Sequence, residues 1–212
     1  MLMIDAQRNP LAAASPVTPW IAIAAITTIV TFFIATAARD AVEAGAGATA
    51  PEKLWTYDAA YLRDFAAKTE AATVWGSPAL TLYWKFVLPV DIVFALSLAA
   101  LTVLFWLSVA ALSVAAGWLC AAIVAGAMGL LYGFADVAED LQLIAILRDP
   151  GPAIGPGRAA AANWLTRLKL VTNLLSIAGF AVFAVLWAIN RITPGLFGLF
   201  TRLAQLLWRR RT

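Results

Sequence analysis

The sequence predicts an all-α integral membrane protein: a bundle of four transmembrane helices, with an amphipathic helix in the first long loop and a basic amphipathic helix at the C-terminus. Three observations carry this. Hydrophobic residues make up 63% of the 212 residues and charged ones only 13%, against about 45–50% and about 25% in soluble domains. The mean hydropathy of +0.85 is too high for a disordered chain, which needs the opposite balance. The apolar residues also gather into four runs, each near the ~20 residues needed to cross a hydrocarbon core about 30 Å thick. An ordinary soluble enzyme is excluded.

The first span is read at residues 20–38, uncharged, with Pro19 before it and Arg39 and Asp40 after it. Ala35, Thr36 and Ala37 resemble a signal-peptidase site. The region ahead carries only Arg8 and two prolines, Pro16 and Pro19, so an uncleaved span is expected. Residues 40–80 are too polar for lipid and form an extramembrane loop. It opens on a flexible stretch, 44–49, and then Thr49 and Glu52 match a capping box. Leu54, Tyr57, Tyr61, Leu62 and Phe65 follow at helical spacing, with Glu52, Lys53, Arg63, Lys68 and Glu70 on the remaining surface. That pattern predicts an amphipathic helix, lying on the membrane or capping the bundle.

The second span is read at 86–109, interrupted only by Pro89 and Asp91, and the third at 116–147, interrupted by Asp136, Glu139 and Asp140. Prolines and glycines between Arg148 and Gly157 come too densely for a helix. The fourth span is read at 168–190. Beyond Pro194, leucines and phenylalanines recur at helical spacing up to Arg209. Residues 194–212 are therefore expected to be an interfacial basic tail, with Arg202, Arg209, Arg210 and Arg211 facing an anionic leaflet at about 1 kcal/mol per arginine. The whole chain, 1–212, reads as a single membrane domain. Trp20, Trp106, Trp118 and Trp187 mark one headgroup level, Trp84 and Trp164 the other.

Charges inside spans need a reason, because an intramembrane carboxylate costs about 2.5–3.5 kcal/mol. Spans two and three run antiparallel, so Asp91 and the group Asp136, Glu139 and Asp140 fall at one depth, with Arg167 and Lys169 opening span four from the same side. Ala125, Gly129 and Gly133 recur every four residues in span three and should admit a neighbouring backbone. Asp136 and Asp140 continue that face, and Asn173 continues the one that Lys169 begins. The expected intramembrane cluster is therefore Asp91, Asp136, Glu139, Asp140, Arg167, Lys169 and Asn173. Pairing that only fixes helix register is one reading of it. The other is a polar pocket for a proton, a cation or a lipid headgroup.

No catalytic residue, metal site or cofactor is expected. The chain has no histidine, and its lone cysteine, Cys120, lies in an apolar run. No P-loop, GxGxxG, HExxH or GxSxG motif is present. The acidic run from Asp136 to Asp140 lacks the second acidic group and neighbouring glycine of a lipid phosphotransferase magnesium site. The sequence thus favours a non-enzymatic accessory or interaction protein, packing against membrane partners or lipids, as a homo-oligomer or with other subunits. The alternatives are a small transporter or channel subunit using the carboxylates, and a lipid-modifying enzyme. Nucleic acid is not an expected partner. The expected location is a bacterial inner membrane, multi-pass, with both termini cytoplasmic.

Overall fold

The structure is a computed structural model that describes residues 18–112, 116–149 and 154–209. Four of its helices are long and apolar enough to cross a membrane, as in a multi-pass membrane protein, and among the described residues the fold is helical apart from one short hairpin. It divides into two compact units, residues 1–173 and 174–212.

In the first unit, α1 (Thr18–Ala46) runs on past the uncharged stretch, so Arg39 and Asp40 lie inside the helix rather than ending it. The reason is composition: 41–46 is rich in alanine, which favours helix more than any other residue. A 3₁₀ turn (Pro51–Lys53) follows. The capping box expected here is absent: Ala50 precedes the turn without a side-chain cap, and Glu52 points inward. The loop helix α2 (Ala59–Ala71) instead starts from Asp58, whose carboxylate accepts from the Tyr61 N–H at 2.8 Å. A hairpin then forms, β1 (Thr73–Val74) against β2 (Ser77–Pro78), antiparallel. Both turn residues have positive φ, Trp75 at 52° and Gly76 at 78°, the backbone of a type I′ turn. Glycine adopts that conformation freely. Trp75 does not, and its exposed ring sits at the tip.

The second span begins earlier than the hydropathy suggests. A short α3 (Ala79–Leu82) leads through a π-helical turn (Tyr83–Val87) into α4 (Leu88–Leu112). The widened turn comes directly before Pro89, whose ring lacks an N–H and crowds the carbonyl four residues back. Helix α5 covers Ala116–Leu147, and α6 starts at Pro156, a residue preorganised for the first helical position. Helix α6 continues to Arg209 without a break at Pro194, so the expected separate tail helix is not a separate element. Its part in the second unit exposes Leu174, Leu175, Ile177, Val182 and Val185. Arg210 and Arg211, and the side chains of Arg202 and Arg209, lie outside the described residues.

Two kinds of packing divide the first unit. At the loop end, the helices together with α2 and the hairpin enclose a dry core. Val42, Leu62, Phe65, Tyr83, Leu143 and Leu147 are fully buried there. The 40–80 loop is thus a packed cap. Farther along the spans the large apolar side chains face outward instead, among them Ile26, Phe33, Leu96, Leu130 and Phe134, as lipid contact allows. Here the helices meet through small and hydroxyl residues. Thr28 Oγ1 lies 3.0 Å from Ser97 Oγ, joining α1 to α4.

The α4–α5 seam is a close approach of two backbones. A methyl built on Gly129 would stand 2.5 Å from Thr102 Cγ2, and one on Gly133 2.6 Å from Ala99 Cβ. Ala125 lies half-buried one turn before Gly129 on the same helix. A Gly133→Ala or Gly129→Ala change is expected to destabilise the protein by about 1–3 kcal/mol through overpacking. Gly179→Ala meets nothing within 4 Å and should leave thermal unfolding in detergent unchanged or slightly raised.

Candidate functional site

Where the cap meets the spans, seven ionisable side chains converge. Arg39, near the end of α1, bridges two elements. Its Nε stands 2.7 Å from Glu52 Oε1 in the 3₁₀ turn, and its Nη2 donates to Asp91 Oδ2 on α4 at 2.6 Å. Tyr83, in the π-helical turn, donates its hydroxyl to the other Glu52 oxygen. A loop carboxylate is thereby drawn down to 4% exposure and engaged through both oxygens.

Lys169, on α6, is the second cation. Its Nζ lies 2.8 Å from Asp136 Oδ1 and 2.6 Å from Glu139 Oε2. Both acids are on α5, three residues apart and so on one face. Tyr132, one turn earlier, donates to Asp136 Oδ2 at 2.8 Å. Thr166, three residues before Lys169, donates to the remaining Glu139 oxygen. Tyr57 of the cap closes this corner: its hydroxyl is 3.1 Å from Thr166 Oγ1, and its N–H donates to Asn163 Oδ1 at 3.1 Å. Burial, and then the Glu139 charge, push the Tyr57 phenol above its ordinary range, so it stays a neutral hydrogen-bonding group.

Asp140 completes the cluster and differs from the rest. It is fully buried, yet neither carboxylate oxygen has a hydrogen-bond or ion-pair partner among the described residues. One oxygen each from Asp91, Asp136 and Asp140 lie within 4.8 Å of one another. In all, five carboxylates (Glu52, Asp91, Asp136, Glu139 and Asp140) face two cations, a formal charge of −3 when all are ionised.

Several sequence expectations need correcting. Arg167 is outside the cluster: it is exposed and donates to Thr56 Oγ1 at 3.0 Å. Residues two apart on a helix are turned about 200° from each other, so Arg167 and Lys169 cannot face the same acids. Asp91 pairs with Arg39, at the boundary of the first span, and Asp140 has no ion-pair partner among the described residues. Asn173 is half-buried one turn beyond Lys169, and the cluster's hydrogen bonds and ion pairs do not include it. Glu52, Tyr57, Tyr83, Tyr132 and Thr166 were not anticipated as members. The spacing of Tyr132 and Asp136, four residues apart on one face, was a readable signal. For Glu52 and Tyr57 there was none, since the fold of the cap is what brings them in.

Removing Lys169 should be severe. Lys169→Met leaves Asp136 and Glu139 without their counter-charge and is expected to cost about 3–5 kcal/mol. Asp140→Asn keeps every ion pair and, measured in EDTA, should hold or raise the thermal midpoint in detergent.

No protein-family model, curated protein or solved structure matches the chain.

Proposed function

We propose that the chain is a small transporter or channel subunit that takes a cation into the buried carboxylate cluster. The observation that carries this is the surplus of carboxyl groups over cations, and in particular Asp140, buried with both oxygens unpartnered among the described residues. A network that only fixed helix register would account for Glu52, Asp91, Asp136 and Glu139, each held by Arg39 or Lys169. Asp140 adds to such a network only a buried carboxyl group without a hydrogen-bond or ion-pair partner among the described residues, in a region that penalises it. A cation partner supplies the missing compensation.

In this reading the cap is part of the site, because Glu52 and Tyr57 roof it from the loop side. Four candidate spans, an even number, support a reading with both termini on the cytoplasmic side, and the basic C-terminal sequence suits an anionic leaflet there. The bilayer we propose is a bacterial inner membrane.

The test is flux through the purified full-length protein in proteoliposomes. Entrapped reporters for H⁺, Na⁺, K⁺ and Ca²⁺ should show one of these ions moving faster than in protein-free vesicles. Asp140→Asn should abolish that movement while retaining the folded state by thermal unfolding. If no ion moves faster than the leak of empty vesicles, the reading is wrong. The same holds if Asp140→Asn carries the wild-type flux.

A further inference from the structure

Resting on the cation reading and sharpening it, we infer that Asp91, Asp136 and Asp140 form a binding site for a divalent cation of the calcium type. The donor atoms are all carboxylate oxygens, the ligands of hard cations. The chain has no histidine, and thiolate or imidazole metals find no ligand of their kind in this set.

The geometry fits one shared ion. Calcium takes oxygen ligands at about 2.3–2.6 Å, so opposing ligand oxygens stand about 4.6–5.2 Å apart. The three aspartate oxygens lie within 4.8 Å of one another and can contact a common ion without moving a helix. Their outer surroundings hold them in place. Arg39 fixes Asp91 through Oδ2, and Lys169 and Tyr132 fix the two oxygens of Asp136, as second partners commonly orient metal-bound carboxylates.

Asp140 supplies the independent sign of a ligand. A fully buried carboxyl group with both oxygens unpartnered among the described residues, set against two others, has donors available for an ion. Charge agrees, since with all five carboxylates ionised a divalent ion takes the cluster from −3 to −1. Burial decides between the common hard cations. All three aspartates are under about a tenth exposed, so an ion must shed most of its water to enter. Magnesium dehydrates reluctantly and demands near-ideal octahedral geometry, whereas calcium accepts irregular oxygen shells.

The experiment is equilibrium dialysis of ⁴⁵Ca²⁺ against the EDTA-stripped full-length protein in mild detergent, beside the flux assay. One Ca²⁺ per chain is expected, with affinity reduced more than about tenfold in Asp140→Asn and unchanged in Asp64→Asn on the exposed face of α2. Ca²⁺ should also raise the thermal midpoint of the wild type in a concentration-dependent way, and an equal excess of Mg²⁺ should not displace it. Should Asp140→Asn not fold, Asp91→Asn and that calcium-dependent midpoint serve in its place. Ca²⁺ bound equally by wild type and Asp140→Asn, or displaced by equal Mg²⁺, overturns the inference. If no Ca²⁺ binds while H⁺, Na⁺ or K⁺ flux still depends on Asp140, the divalent site is wrong and the cation reading stands. With neither binding nor flux, both fall.

Discussion

A buried carboxylate must be compensated, and this chain gathers five of them, four on spanning helices and Glu52 from the cap, in one place with two cations to meet them. Much of the first unit follows from that constraint. Arg39 and Lys169 each hold two acids, and each pair joins segments far apart in sequence. Arg39 ties α1 to α4 and to the cap, while Lys169 ties α6 to α5. Tyr83, Tyr132 and Thr166 occupy further carboxylate oxygens. Each neutral hydroxyl satisfies an acceptor without adding charge, which lowers the penalty of burial but leaves the electrostatic sum negative.

The cap is the consequence on the water side. A loop that merely linked two spans would leave Glu52 in solvent, where Arg39 would attract it weakly. Here Glu52 is covered because the hydrophobic core of the cap closes over it. Phe65 of α2 packs its ring edge-on to Tyr83, with centroids 5.1 Å apart, and Tyr83 in turn holds Glu52. At the rim, Lys53 bridges Asp40 at 3.0 Å and Glu43 at 2.8 Å, while Glu43 accepts from the Ala50 N–H at 2.6 Å. These exposed contacts are individually weak, but they fix the 3₁₀ turn beside the end of α1. Apolar packing therefore sets the position of a charged group.

The sequence made the spans legible because lipid imposes a composition on whole stretches, and a count of about twenty apolar residues needs no knowledge of neighbours. Their ends were less legible. Arg39 and Asp40 read as a stop signal, yet α1 continues through them, since a helix obeys backbone propensity after the bilayer has ended. The cluster was legible where it is local to one helix: Asp136, Glu139 and Asp140 share a face by spacing alone. The helical angle alone separates Arg167 from Lys169, since residues two apart share a depth but point in nearly opposite directions. The partnership of Arg39 with Glu52 was hidden, because it depends on a cap whose fold rests on long-range apolar contacts between Leu62, Phe65, Tyr83 and Leu147. Glu52 also had a plausible local role as a helix cap, and the tertiary partner prevailed over it.

The three aspartates owe their proximity to residues with almost no side chain. Asp91 stands one turn before Ala95 on α4, and Asp136 three residues after Gly133 on α5. At that level the virtual methyl of Gly133 lies 2.6 Å from Ala99 Cβ and 3.4 Å from the Ala95 carbonyl oxygen. Such spacing exists only because Ala95, Ala99 and Gly133 let the two backbones nearly touch. Aspartate is short, and two aspartates on facing helices reach a common point only across a seam this narrow. Larger residues at these positions would part the helices. Asp91 and Asp136 could then stay paired with Arg39 and Lys169, whose long side chains tolerate the displacement. The ion pairs are thus the forgiving part of the cluster. Convergence of Asp91, Asp136 and Asp140 is the demanding part, and the small-residue seam between α4 and α5 is what provides it.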